Sequence, residues 1–238
     1  MPNEVDTRLA ERCQAVETRL EAACARVKRS RAEVTLVAVT KTVSADVAAC
    51  LPGLGVHHLG ESRPQELWRK AAALPSNVTW HLVGHLQRNK IERTLPLVKL
   101  IHSVDSVRLL QALEEEAAKL DRSVPVLLEV NASREPNKLG FAPEEVHQLI
   151  PTLAALRHVR VHGLMTMAAF ADDPEQCRET FASVRRLRDE LRPQLAPLHP
   201  FADLSMGMSN DFEVAIEEGA TLVRLGTVLF EGLREGSG

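Results

Sequence analysis

Eight short apolar runs recur along this 238-residue chain, and a segment of helical character separates each from the next. The runs occupy residues 34–40, 56–60, 78–84, 98–104, 124–131, 159–165, 203–207 and 221–226. Strands that alternate with helices through short connections run parallel, because each helix returns the chain to the same end of the sheet. Eight such repeats with nearly continuous apolar strands predict an α/β protein with a closed (β/α)₈ TIM barrel. An open, doubly wound sheet is the alternative.

The N-terminal residues predict one further helix. Their apolar positions recur at alternating steps of four and three, which is the spacing of a single helical stripe. The stripe consists of Leu9, Cys13, Val16, Leu20, Cys24 and Val27. We expect this helix, within residues 1–30, to pack on the barrel inside one domain that spans residues 1–238.

Start signals for helices follow several of the apolar runs. Ser62-x-x-Gln65 and Asp173-Pro174-Glu175-Gln176 have the pattern of capping boxes, and Pro143 opens another helical segment. The turn-prone stretch 131–140 (NASREPNKLG) is typical of a long loop between a strand and a helix, and not of a domain boundary.

Composition narrows the class of protein. The net charge is −3 with both signs interspersed, so a broad basic face for nucleic acid or for an anionic membrane is not expected. The four cysteines, Cys13, Cys24, Cys50 and Cys177, lie far apart without a CxxC pair, which argues against structural zinc and a disulfide framework. No segment offers the roughly 18 uninterrupted apolar residues of a membrane span, and the N-terminus lacks a signal-peptide core. We therefore expect a cytoplasmic protein.

Two neighbouring loops carry the pattern of an anion site. Segments 204–211 (LSMGMSND) and 224–230 (RLGTVLF) follow the last two strands, and each places glycine and a hydroxyl residue before a helix. The loops after strands seven and eight form the common phosphate site of this fold. Taken singly, Ser209 and Thr227 could equally be plain N-caps. Together, in adjacent loops, they favour phosphate.

A lysine and an arginine extend this pattern. Lys41 ends the first strand, which barrel closure places beside the eighth; its amine could pair with an acid, attack a carbonyl or point into solvent. Arg224 interrupts an apolar strand, and its alternation with Leu222 and Gly226 directs it to the barrel interior. A guanidinium there needs an acid or a ligand atom. A phosphate-bearing carbonyl compound with a ring nitrogen, such as pyridoxal 5′-phosphate (PLP), meets all three groups.

Ordered motifs over nearly the whole chain resemble those of the pyridoxal phosphate homeostasis proteins, also called proline synthase co-transcribed homologues. The matching segments are VAVTKT, HLGESRPQE, WHLVGHLQRNK, IHSVDS, NASREPNKLGF, GLMTM, LSMGMSNDFEVAIEEG and VRLGTVLF. The resemblance implies a single barrel of the alanine racemase type (PLP fold type III). It also implies PLP as the cofactor.

The resemblance assigns roles to individual residues. It implies Lys41 as the Schiff-base lysine, Ser209, Gly226 and Thr227 at the phosphate with Ser205 nearby, and Arg224 at the pyridine nitrogen. Ser62 stands where the family usually has asparagine, and it is carried as a further cofactor-binding candidate. No catalytic residue is assigned.

The residues are compatible with three functions. The leading hypothesis is a carrier that stores, buffers or delivers PLP to apoenzymes, and so influences amino-acid and keto-acid balance, because this chain has no tyrosine. Alanine racemases of this type use a tyrosine base from a second, β-rich domain, for which the residues after strand eight leave no length. The alternatives are a PLP-dependent racemase or lyase of low activity, in which cysteine or histidine replaces the tyrosine, and a sugar-phosphate barrel with an aldolase-like Lys41.

Other polar residues receive structural interpretations. His57, His58, His81 and His85 lie on separate strands without carboxylates at ligand spacing, so we expect core or rim histidines and no metal. Lys138, in the fifth loop, is either an exposed loop lysine or a second, transient PLP site. We expect a monomer.

Overall fold

The strands form a closed barrel in chain order, and β8 pairs with β1 to complete it. The computed structural model describes residues 4–135, 138–196 and 198–233. Its strands are β1 (Thr35–Val39), β2 (His58–Glu61), β3 (Thr79–Leu82), β4 (Val98–Val104), β5 (Val124–Glu129), β6 (Val159–Met165), β7 (Asp203–Ser205) and β8 (Leu222–Leu225). Each coincides with one apolar run to within two residues at either end. The predicted barrel is confirmed, and the open sheet is wrong.

Helices surround the barrel. Those of the described residues are α1 (Glu4–Arg26), α2 (Ala45–Ala49), α3 (Pro64–Ala73), α4 (Ile91–Thr94), α5 (Val107–Lys119), α6 (Pro143–Gln148), α7 (Ile150–Ala155), α8 (Arg178–Leu195), α9 (Phe212–Glu217) and α10 (Thr227–Phe230). None of them is both long and apolar enough to cross a membrane.

The additional N-terminal helix is confirmed as α1. It packs on α9 and α10, next to the strand that closes the barrel. Its buried stripe includes Leu9 and Leu20, and its flank forms an ion pair between Arg19 Nε and Glu213 Oε1 at 2.9 Å. The helix therefore covers apolar surface that α9 and α10 would otherwise expose to water.

One predicted helix start is wrong. Helix α3 begins at Pro64 with Arg63 at the N-cap, so Ser62 and Gln65 do not form a capping box. The reason is steric: a residue before proline is driven out of the helical region, and Arg63 is accordingly extended. The start at Pro143 is confirmed. Asp173 caps its turn, since its carboxylate accepts from the amide of Glu175 at 3.0 Å, but the described contacts include no return bond from Gln176, so the predicted capping box is only half formed.

The apolar core has two parts. The larger lies between the strands and the helices, and the smaller fills the barrel interior with Val37, Leu100, Leu127, Met165 and Leu222. Side chains of a strand alternate between its two faces, so Arg224 shares the inward face with Leu222. The predicted inward orientation of Arg224 is confirmed by its burial, with 4% of its surface exposed.

Candidate functional site

The loops after β7 and β8 are joined through one hydroxyl group. Ser209 Oγ accepts from the backbone N–H of Gly226 at 3.4 Å and of Val228 at 3.2 Å. The first loop reaches this position through a tight turn at Gly207, with φ of 93°. A Cβ at Gly207 would lie 2.6 Å from Ala215 Cβ, so only glycine fits there.

The N-cap interpretation of the two hydroxyl residues is wrong. Asp211 and Gly226 occupy the N-cap positions of α9 and α10, and neither Ser209 nor Thr227 caps its helix. The hydroxyl of Ser209 is instead directed at the neighbouring loop. Amide-to-hydroxyl distances of 3.2–3.4 Å are long for such bonds, so the same N–H groups can turn to a stronger acceptor such as phosphate.

Lys41 lies beside the hydroxyl of Ser209 and the amides of Gly226 and Val228, which together form the Ser209 cradle. Strand β1 ends at Val39, and its register with β8 pairs Val37 with Arg224. A Cβ at Gly226 would lie 3.3 Å from the carbonyl oxygen of Val39, so the loop after β8 lies against the end of β1. The side chain of Lys41 is exposed. The two strand ends predicted to meet do so.

A buried ion pair, which the sequence analysis missed, lies directly behind Lys41. Lys70 Nζ donates to Glu61 Oε1 at 2.7 Å and to the carbonyl oxygen of Thr40 at 2.6 Å. The hydroxyl of Thr40 donates to the same carboxylate oxygen at 2.6 Å. Thr40 and Glu61 are fully buried and Lys70 is 1% exposed. These three residues, the Lys70 cluster, hold the backbone just before Lys41.

Arg224 is anchored by the carboxyl ends of two other strands. Its Nη1 donates to the carbonyl oxygen and the hydroxyl of Ser205, at 2.8 and 2.6 Å, and its Nη2 donates to the carbonyl oxygen of Thr166 at 2.9 Å. Within the described part of the chain these bonds use three of the five guanidinium N–H groups. Two remain to donate to a ligand.

The charge of Arg224 survives burial. Desolvation lowers its pKa to about 10, and the negative charges of Glu129 and Asp211 oppose that decrease. Burial in turn raises the pKa of Glu129 and of Asp211 above their usual values. The guanidinium therefore stays protonated at neutral pH and acts only as a donor.

The other candidates lie as follows. Ser205 is fully buried beneath Arg224, whereas Thr227 is exposed at the first position of α10. Ser62 is half-buried at the end of β2, and a Cβ at Gly84 would come within 2.3 Å of its carbonyl oxygen. Lys138 is held in its own loop by an ion pair with Glu135 at 2.5 Å.

The histidines occupy the core and the rim, as predicted. His81 is buried, His58 is half-buried, and His57 is exposed. His85 lies at the rim, where its Nδ1 is 2.8 Å from Asp105 Oδ2. Among residues 4–135, 138–196 and 198–233 no group of three or more histidine, cysteine or acidic side chains could hold a metal ion.

Three kinds of donor lie at the carboxyl end of the closed barrel: the amine of Lys41, the backbone N–H groups of Gly226 and Val228, and the buried guanidinium of Arg224. Such donors suit a phosphate-bearing carbonyl compound. Residues 13–233 match the family model described as alanine racemase, N-terminal domain. The fold and the match place the chain in that class of barrel.

Relatives narrow the class further. A pyridoxal phosphate homeostasis protein of Aquifex aeolicus is 41% identical over 221 residues, which cover 92% of this chain and 96% of that protein. An unknown protein from Bifidobacterium adolescentis superposes with a TM-score of 0.88 at 34% identity, covering 97% of both chains. PipY of Synechococcus elongatus, solved with PLP bound, superposes with a TM-score of 0.78 at 35% identity, covering 93% of this chain and 99% of PipY. The chain belongs to the pyridoxal phosphate homeostasis protein family.

Proposed function

We propose that this chain binds pyridoxal 5′-phosphate and acts in PLP homeostasis, holding the cofactor and releasing it to apoenzymes. The observation that carries the proposal is that Lys41, the Ser209 cradle and Arg224 lie at the same end of the barrel, on or after the paired strands β1 and β8 and in the loop after β7. The names of the relatives and the PLP-bound structure of PipY support it.

Each part of the site then has a role. Lys41 supplies the amine that anchors the aldehyde end, and the amides of Gly226 and Val228 with the hydroxyl of Ser209 receive the phosphate. Thr227, exposed in the same loop, adds a hydroxyl to the phosphate rim. Arg224 directs its free N–H groups at the ring nitrogen. Ser205 holds that guanidinium in place, and Ser62 lies at the neighbouring strand end.

The same residues favour a carrier over an enzyme. When bound, PLP supplies an aldehyde that takes up amines and a ring that withdraws electrons from an attached amino acid. Arg224 only donates hydrogen bonds, so it meets an unprotonated ring nitrogen, and this weakens the withdrawal of electrons. The chain has no tyrosine to serve as a second base. Burial raises the pKa of Cys177 to about 11, which makes that thiol unsuitable as a replacement.

Two measurements on the loaded protein test this function. A visible absorption band should form with PLP, disappear with hydroxylamine, and decline as an added apoenzyme gains activity. A panel of amino acids in deuterated water should show no exchange of the α-proton above that with free PLP. Exchange above that level would overturn the carrier proposal, and its loss in His85→Gln would assign the base to the imidazole that pairs with Asp105 at the rim. Absence of the band would overturn PLP binding itself.

A further inference from the structure

Three imidazole rings form a continuous hydrogen-bonded chain through the barrel interior. His58 Nδ1 lies 2.9 Å from His81 Nε2, and His81 Nδ1 lies 2.8 Å from His102 Nε2. His102 Nδ1 lies 2.8 Å from Ser205 Oγ, the hydroxyl that accepts from Arg224. These hydrogen bonds connect the guanidinium of Arg224, at the mouth of the barrel, to its opposite end.

Register explains how the chain climbs the barrel. His81 pairs with Gly60, two residues beyond His58, and with Leu100, two residues before His102. Each ring therefore lies one inward-facing position closer to the carboxyl ends of the strands. At its lower end, His58 lines a cavity of about 710 Å³ between α1 and the first two strands. His58, the last ring of the series, therefore borders open space at the end of the barrel opposite Arg224.

Arg224 decides the direction of these bonds. A guanidinium always donates, so Ser205 Oγ accepts from it. Ser205 is fully buried, and its hydroxyl has two partners in the described part of the chain, Arg224 and His102. If His102 also donated to this oxygen, the hydroxyl hydrogen would be buried without an acceptor. The hydroxyl must therefore donate to His102 Nδ1.

The remaining protons follow in order. A neutral imidazole with an accepting Nδ1 carries its hydrogen on Nε2. His102 then donates from Nε2 to His81, and His81 donates from Nε2 to His58. Burial, followed by the neighbouring positive charges, lowers the pKa of His102 well below its usual value and that of His81 to about 3, so both rings stay neutral. Every acceptor in the chain faces the guanidinium and every donor points away from it.

We propose that His81 and His102 are positioning residues, locked in the Nε2–H tautomer by Arg224 through Ser205, that orient the guanidinium for its ligand. The aligned dipoles place their negative ends towards a buried positive charge, which replaces part of the water it has lost. The tautomers of His81 and His102 are set by residues of this protein and need no bound ligand. The effect on the ligand rests on the proposed function.

The hydrogen bonds from Arg224 through Ser205, His102 and His81 to His58 form the relay, and nitrogen-15 NMR of histidine-labelled, cofactor-free protein tests their direction. His199 is an internal reference, because its Nδ1 accepts from the amide of Val161 at 3.3 Å and its Nε2 faces the carbonyl oxygen of Leu153 at 2.9 Å. His81 and His102 should match it, with the Nε2–H form in excess by more than about tenfold. Protonated Nδ1 or mixed tautomers in the wild-type protein would overturn the lock, whatever any variant does.

Substitutions of Ser205 and His102 test the relay further. Ser205→Ala removes the hydroxyl that donates to His102, so mixed tautomers should appear in both rings. A folded Ser205→Ala protein with unchanged tautomers would show that Arg224 does not set the direction. In PLP-loaded protein, His102→Leu should shift the cofactor absorption band and weaken PLP retention about tenfold. The reason is that Ser205 loses its partner and the guanidinium of Arg224 is no longer held in one orientation. His57→Gln, an exposed neighbour of the relay, should leave both unchanged.

Failure of the relay is distinct from failure of the proposed function. An unshifted band in His102→Leu that still binds PLP would overturn the positioning role alone. Locked tautomers in a protein that never acquires the PLP band would instead overturn cofactor binding and leave the lock in place.

Discussion

Lys41 and Lys70 approach the same strand end but lie in opposite surroundings. Lys70 is 1% exposed and donates to Glu61 and to the carbonyl oxygen of Thr40, the residue before Lys41. Lys41 is exposed, and no hydrogen bond or ion pair with another described residue holds its amine. The surroundings, and not the residue type, decide that one amine supports the fold and the other is available for chemistry.

The contrast extends to the whole site. The rim carries Lys41, Ser209 and Thr227, whose side chains are exposed or half-buried, whereas the interior beneath it carries the Lys70 cluster and the relay from Arg224 to His58. Rim substitutions should therefore affect ligand binding and cost little stability. Interior substitutions should affect stability first.

The largest expected effect separates the two lysines directly. Lys70→Met leaves the Glu61 carboxylate buried without its charge partner, and we expect the free energy of unfolding to fall by about 3–5 kcal/mol. Lys41→Met removes an exposed amine and should change stability by less than about 0.5 kcal/mol. Urea denaturation of both variants makes the comparison. Equal losses would mean that the two lysines are not in the different environments described.

A double variant sharpens the explanation for Lys70. Removing both charges leaves no unpaired ion, so Lys70→Met with Glu61→Leu should lie within about 2 kcal/mol of the wild type, closer than Lys70→Met alone. The remaining loss belongs to the hydroxyl and carbonyl groups of Thr40. A double variant less stable than Lys70→Met would show that packing, and not charge pairing, makes Lys70 important.

Lowering the pH should destabilise the protein through His81, a buried member of the relay. The folded pKa of His81 is about 3, below the value of about 6.5 in an unfolded chain, so between these values the unfolded state binds more protons. Its contribution to stability is complete above about pH 6.5 and falls as the pH decreases towards 3. From pH 7 to pH 5 the loss should reach about 2 kcal/mol for this histidine.

Urea denaturation between pH 5 and pH 7 measures this effect. His81→Gln should be less stable at pH 7 and should show a flatter dependence on pH, because glutamine does not titrate. His57→Gln, which removes an exposed imidazole, is the matched control. A slope in His81→Gln as steep as that of the wild type would contradict a buried neutral ring.

A smaller effect is expected at the rim. Ser209→Ala removes the hydroxyl between the amides of Gly226 and Val228 and should cost about 1 kcal/mol of stability. It should weaken PLP retention about tenfold, because the phosphate loses one donor. Ser76→Ala, in an exposed loop, is the matched control. Unchanged retention in Ser209→Ala would place the phosphate elsewhere.

Periodicity in the sequence was sufficient to predict the barrel and the inward arginine. Each strand is recognisable by itself, and closure follows from their number, so the meeting of Lys41 with the loop after β8 was predictable. The helix start at Ser62 was not, because the preference of Arg63 before proline outweighed the capping pattern.

Interior polar contacts were harder to predict. His58, His81 and His102 lie on three strands and meet only through the stagger of the barrel. Nothing local in the sequence reports that stagger. Lys70 did leave a signal: it falls between Leu67 and Leu74 on the apolar stripe of α3, a position that a solvated lysine does not usually take.

The central claim is that Lys41 is the amine that anchors PLP, and mapping a borohydride-reduced adduct tests it most directly. Loaded protein is reduced, digested and sequenced by mass spectrometry, with Lys41→Met as the unlabelled control and Lys138→Met as the control for loop lysines. The account predicts a pyridoxyl group on Lys41 that is lost in Lys41→Met and kept in Lys138→Met. A pyridoxyl group on Lys138 or Lys70, with Lys41 unlabelled, would contradict it.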